Sequence, residues 1–148
     1  MTFDKGRLTM IGKLTRTTES GRVSELLGLP EDINDSDTLT AQVAKGLPAA
    51  SVENILGVMN SRPILNLIPE RAYRRAKTEQ LPLSAVKSQI LYDFARAYVV
   101  ADRIHNGNGA LVMRFLEKPH PDLGGAAPMA LAISSPIGAD EVIELLNR

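Results

Sequence analysis

The stretch from Phe115 to Arg148 constrains this chain most, because it sets helix formers and helix breakers in a fixed order. A helix through Leu111, Val112, Phe115 and Leu116 must stop at Pro119, whose ring cannot continue it and which disfavours helical backbone at the residue before. Gly124 and Gly125 allow a tight turn with unusual dihedrals. Pro128 suits the first position of a short helix. Gly138 is expected to separate that helix from a last one carrying Asp140 and Glu141 in its first turn, where acids suit the helix dipole.

Upstream, the same rules predict further helices. Arg22–Leu29 forms a short helix ending before Pro30, and Glu31–Asp37 reads as an acidic loop. Asp37 or Thr38 caps a helix through Lys45, with Gly46 as its stop. Pro48 opens another, with Val52, Ile55, Leu56 and Met59 on one face. Asn60-Ser-Arg-Pro63 breaks it, the short apolar piece Ile64–Ile68 follows, and Pro69 opens a helix through Lys77. From Ser84 a long helix carries Val86, Ile90, Phe94, Ala97, Ala101 and Ile104 at spacings of three and four, and Asn106-Gly107 ends it. No alternating apolar run demands a strand, so the fold is expected to be all-α. Residues 1–18 lack sustained periodicity and read as an arm.

Composition excludes several classes. With 148 residues the chain can bury a core, as one compact domain or two small ones. No run of about 18 apolar residues and no leader-like start occur, which argues against membrane and secretory readings. The absence of cysteine removes disulfides and thiolate metal sites and suits a cytoplasmic location. Lysine plus arginine equals aspartate plus glutamate at 17 each, yet the charges are segregated. Glu19 to Asp37 holds six acids and one base, whereas Arg62 to Lys77 holds five bases and one acid. A polyanion would therefore find a basic middle in a neutral chain.

Motifs of catalysis are missing. His105 and His120 have no third ligand at metal spacing, Gly107-Asn-Gly109 lacks the remainder of a dinucleotide fingerprint, and no phosphate-binding loop with Gly-Lys-Ser/Thr occurs. Glu141 and Glu144 lie on adjacent turns and read as solvent- or partner-facing rather than as a catalytic pair. The expectation is no enzyme activity, no cofactor and no metal.

The order helix, Pro119-His-Pro121, Leu123-Gly-Gly125, short helix, Gly138 and closing helix resembles the C-terminal toxin-binding domain of the Xre/MbcA/ParS antitoxin family. Gly46-Leu-Pro48, Glu70-Arg-Ala-Tyr-Arg-Arg-Ala-Lys77 and Leu81-Pro-Leu-Ser84 look like the helix-turn-helix half of that family, with departures at Ala72 and at Ala85–Lys87. Family members usually run a few residues past the position of Arg148. The resemblance implies an arm and acidic segment over 1–37, a helix-turn-helix-like DNA-binding region over 38–83, and a toxin-binding domain with a long connecting helix over 84–148. It implies an antitoxin that blocks the active site of a RES-type, NAD-degrading toxin and binds operator DNA as a homodimer to regulate its own operon.

Each role maps onto residues. Arg71, Arg74, Arg75 and Thr78 recur at spacings of three and four, hence on one helical face, and with Lys77 they are the expected DNA contacts. Pro119, Leu123, Gly124, Gly125, Asp140, Glu141, Glu144, Leu145 and Arg148 are the expected toxin contacts, with Val142, Leu145 and Leu146 as an apolar stripe laid on the toxin. Two alternatives stay open: a stand-alone transcription regulator whose C-terminal domain only dimerises, and a toxin inhibitor that has lost DNA binding.

Overall fold

The computed structural model describes residues 14–59 and 63–148. Among them the chain is helical throughout, without a strand: α1 (Glu19–Leu26), α2 (Ser36–Lys45), α3 (Ala49–Val58), α4 (Glu70–Glu79), α5 (Ala85–Ile104), α6 (Gly109–Glu117), α7 (Pro128–Ser134) and α8 (Pro136–Leu146). Two short 3-10 turns, Pro63–Asn66 and Pro121–Leu123, are the remaining regular elements among the described residues. No helix among the described residues is long and apolar enough to cross a membrane.

The longest helix, α5, is the spine. Ser84 caps it by accepting from Lys87 N–H at 3.2 Å, satisfying a donor that the first turn leaves free. It packs against α1, α2 and α3 and against α6, α7 and α8. One buried cluster accordingly runs from Val23 and Leu27 through Phe94 and Tyr98 to Leu116 and Met129. A smaller cluster of Ala97, Ala132, Ala139 and Val142 seals α5 against α7 and α8. Since α5 is enclosed by other helices, its buried face is wider than a single stripe. Phe94, Ala97 and Ala101 are fully buried as expected, but so are Leu91, Ala95, Val99 and Val100. The two ends of the expected stripe are corrected: Val86 and Ile104 face solvent, because the packed face at the ends of α5 runs through Ser88 and Asp102, which are buried in their place.

The connection from α2 to α3 is the tight turn Gly46-Leu47-Pro48. Gly46 has φ +115°, and a Cβ there would come 2.3 Å from the Leu83 carbonyl. This close approach lets Leu83 N–H donate to Leu47 O at 2.8 Å, while Ser88 Oγ accepts from Leu47 N–H at 2.7 Å. The turn is thereby stapled to the start of α5.

Four boundary expectations are corrected. Helix α1 begins at Glu19, because Thr18 Oγ1 accepts from Gly21 N–H, and it ends at Leu26. Asp35, not Asp37 or Thr38, caps α2: its carboxylate accepts from Thr38 N–H at 2.8 Å and from the Thr38 hydroxyl at 2.9 Å. These bonds stabilise the charged form and hold the Asp35 carboxyl below its ordinary range. Pro69 is the cap residue of α4, which continues to Glu79. Gly138 does not separate the last two helices. The break falls at Ser135, extended at φ −170° and followed by Pro136, and Ser135 Oγ caps α8 by accepting from Gly138 N–H at 2.9 Å. Gly138 sits inside α8, buried against Leu131, and Asp140 and Glu141 fall in the second turn instead of the first. The expected arm over residues 1–18 lies mostly outside the described residues, as does Arg62.

Candidate functional sites

Helix α4 stands at one edge of the molecule and buries little besides Ala76. What holds it is a polar clasp from α3. The Glu53 carboxylate accepts from the Tyr73 hydroxyl and pairs with Lys77 Nζ at 2.8 Å, and the ammonium also lies 5.9 Å from the Tyr73 ring centre. The carboxylate beside Tyr73 pushes its hydroxyl pKa up, and the same carboxylate raises that of Lys77. Lys77 thus faces α3, away from the arginines.

Arg71, Arg74 and Arg75 are exposed on the other side, with Thr78. Arg74 pairs with Glu70 at 2.9 Å and Arg75 with Glu79 at 3.4 Å, both one turn away along the helix. Exposed pairs of this kind are weak, about 0.3–0.5 kcal/mol, so a phosphate can replace the carboxylate readily. Beside this face lies an open groove of about 650 Å³ between α4 and the start of α5, lined by Arg71, Arg75, Leu81, Ser84 and Lys87 among others. Lys87 was not foreseen as part of this surface. Its only sequence signal was a base three residues after a helix cap, and that does not say which neighbour it will face.

Helix α4 is not preceded by a short turn. The tight three-residue connection in this half lies between α2 and α3, whereas α3 and α4 pack together across residues 59–69.

The second surface is built by the loop after α6 and by α8. His120 orders the loop: its Nδ1 accepts from Asp122 N–H at 3.1 Å, its backbone N–H donates to Ala126 O at 3.0 Å, and its ring edges Phe115. Gly124 and Gly125 take φ +66° and +85° with nothing within 4 Å of a built Cβ, so positive φ is what calls for glycine there. Pro119, Gly124 and Gly125 are exposed, and Leu123 is half-buried against the Ala97–Val142 cluster alongside Leu146. Arg148 Nη1 lies 3.5 Å from Asp122 Oδ2, so loop and closing helix meet as one surface.

Along α8, Ile137, Glu141, Glu144 and Arg148 recur at spacings of three and four and share a face. Ile137 is 73% exposed, and neither Glu141 nor Glu144 makes an ion pair among the described residues. Asp140 differs. Its carboxylate accepts from Arg96 Nη1 at 2.8 Å, while Arg96 Nη2 donates to buried Asp93 at 3.0 Å and to Pro136 O at 3.3 Å. Arg96 therefore ties α8 to α5. The expected apolar stripe is corrected at Val142, which is fully buried in the chain's own core; Leu145 and Leu146 are half-buried.

A shallow apolar groove of about 660 Å³ lies between α6, α7 and Leu67, with Leu116, Met129 and Ile133 in its lining. Among the described residues no three or more His, Asp or Glu side chains are grouped so as to hold a metal ion.

Comparison with known proteins bears on the second surface. Residues 100–148 match the family described as the antitoxin Xre/MbcA/ParS C-terminal toxin-binding domain. The matched stretch begins inside α5 and covers α6, the His120 loop, α7 and α8. No curated protein matches the chain.

Proposed function

We propose, from the match of residues 100–148 to the Xre/MbcA/ParS C-terminal toxin-binding domain, that this chain neutralises a cognate toxin through the exposed face of α8 and the adjoining His120 loop. The observation that carries this reading is the unpaired acidic face, Glu141 and Glu144 beside exposed Ile137, within the matched domain. An apolar tip flanked by acids suits an active-site mouth that is lined by basic groups and normally holds an anionic substrate. A RES-type toxin acting on NAD⁺ fits that description, since a dinucleotide needs such cations. Neutralisation would be steric and electrostatic, with α8 laid over the mouth as a rigid part of the antitoxin's own core.

The same chain is proposed to bind operator DNA as a homodimer through Arg71, Arg74 and Arg75 on α4, with Lys77 acting by holding that helix on α3. The exposed arginine face supports this, because phosphates dominate protein–DNA affinity and arginine can also read guanine. The domain reading, with DNA contact over 38–83 and toxin contact over 84–148, goes with it. One observation favours a toxin inhibitor without DNA binding: the long connection over residues 59–69, in place of the three- or four-residue turn usual between paired DNA-binding helices.

The test is co-expression with the product of the adjacent reading frame. Protection of growth and of the cellular NAD⁺ pool, with co-purification of the two proteins, is the expected result. Failure to protect or to co-purify overturns the antitoxin reading, and retained protection without a shift of upstream DNA selects the inhibitor-only alternative.

A further inference from the structure

The groove between α4 and α5 extends the basic surface onto a second helix, and we propose that it seats the phosphodiester backbone of duplex DNA, with Lys87 of α5 as a contact in its own right. The proposal rests on the DNA half of the preceding section and extends its surface past residue 83. Three cations line one open groove of about 650 Å³: Arg71 and Arg75 from α4, and Lys87 from α5. Among the described residues neither Arg71 nor Lys87 has an ion pair, and Arg75 has only the exposed Glu79 at 3.4 Å. No carboxylate lines the groove, so the charges of Arg71 and Lys87 are uncompensated there and that of Arg75 is met only by Glu79 outside it. Surfaces that keep cations unpaired favour a polyanion, and a strand of phosphates spaced at about 3.4 Å per rise along the axis matches a groove rather than a point site.

Placement supports that occupant over an isolated anion. The groove adjoins the exposed face that carries Arg74 and Thr78, so a backbone lying in it would run on past α4. Lys87 is held at a fixed position because its own N–H donates to Ser84 Oγ at 3.2 Å and its neighbour Ser88 is bonded to Leu47. Lys87 as a whole is half-buried and lines the groove, and a lysine so placed packs its apolar stem and keeps its charged head towards water. An acidic protein segment is the competing occupant.

Fluorescence anisotropy with the full chain tests this, using two labelled duplexes of about 40 base pairs: the DNA immediately upstream of the coding sequence and a scrambled version. Lys87→Gln is expected to weaken binding to both duplexes several-fold and to lower the magnitude of the log–log salt slope by about 0.9, as one lost phosphate contact should. Arg71→Gln should act alike, Lys87→Arg should restore affinity, and Lys118→Gln, on an exposed site away from the groove, should change nothing. Wild-type affinity and slope in Lys87→Gln, with binding lost in Arg74→Ala/Arg75→Ala, overturns the groove proposal and leaves the DNA reading standing. No binding of either duplex by the wild-type chain overturns both, and makes the acidic segment the occupant to pursue.

Discussion

Asp102 lies near the end of α5, 6% exposed, where burial pushes its carboxyl pKa above the ordinary 3.8 and the charge of Arg22 offsets part of the rise. Tyr98, one turn earlier, is pushed up to about 12 by burial and by the Asp102 charge. A raised folded-state pKa means that the native state holds the proton over a window in which the unfolded chain has lost it. Stability therefore falls as pH rises from about 3.8 through the raised value, and at pH 7 the buried charge is destabilising. Asp102→Asn is expected to unfold at a higher temperature than the wild type at pH 7, with the gap closing as pH drops towards 3.8. A lower midpoint for the variant at pH 7 would show that the carboxylate is bonded more strongly than it is desolvated. Neither this group nor the Arg96 clamp was legible in the sequence. A charged residue inside an amphipathic pattern reads as solvent-facing until the helices around it are known.

At the scale of elements, the local dihedral demands of several prolines and glycines are legible in the sequence, whereas the caps at Thr18, Asp35 and Ser135 and the demands of packing are not. Pro119, Gly124, Gly125, Pro128 and the Ser84 cap fix their own backbone, so their effects are visible in a few residues of sequence. Gly138 carried no such signal. In sequence it looks like a breaker, yet it is a helical glycine placed where a Cβ would come 2.1 Å from the Leu131 carbonyl and 3.1 Å from Ser134 Oγ. The break beside it comes from Pro136, which disfavours helical backbone at Ser135. Gly138→Ala must push α8 away from α7 and should lower stability by about 1–3 kcal/mol despite alanine's better helix propensity. Urea unfolding checks this, and an unchanged or raised midpoint would mean that the two helices do not meet so closely. The arginine face of α4 was legible from spacing alone. The turning of Lys77 to Glu53 was not, since Glu53 is on another helix and distant in sequence.

For the whole molecule, α5 joins the two proposed sites. Lys87 lies in the groove at one end, and Arg96 holds Asp140 of α8 further along the same helix. The closing helix is at once core and surface: Ala139 and Val142 are fully buried, while Ile137, Glu141 and Glu144 point outward. Truncating the chain at Ser135 would therefore uncover Ala97 and Ala132 and confuse loss of contact with loss of fold. Charge reversal on the exposed face avoids that difficulty. The most direct measurement is the affinity of purified Glu141→Lys/Glu144→Lys for the proposed cognate toxin, tested as the product of the adjacent reading frame, alongside its helicity and the proposed binding of upstream DNA. Toxin binding should fall by at least about 10²-fold, because two favourable charge contacts become repulsive, with helicity and DNA binding unchanged. Wild-type affinity for the toxin in this variant would contradict the account and move the contact to the apolar groove between α6 and α7.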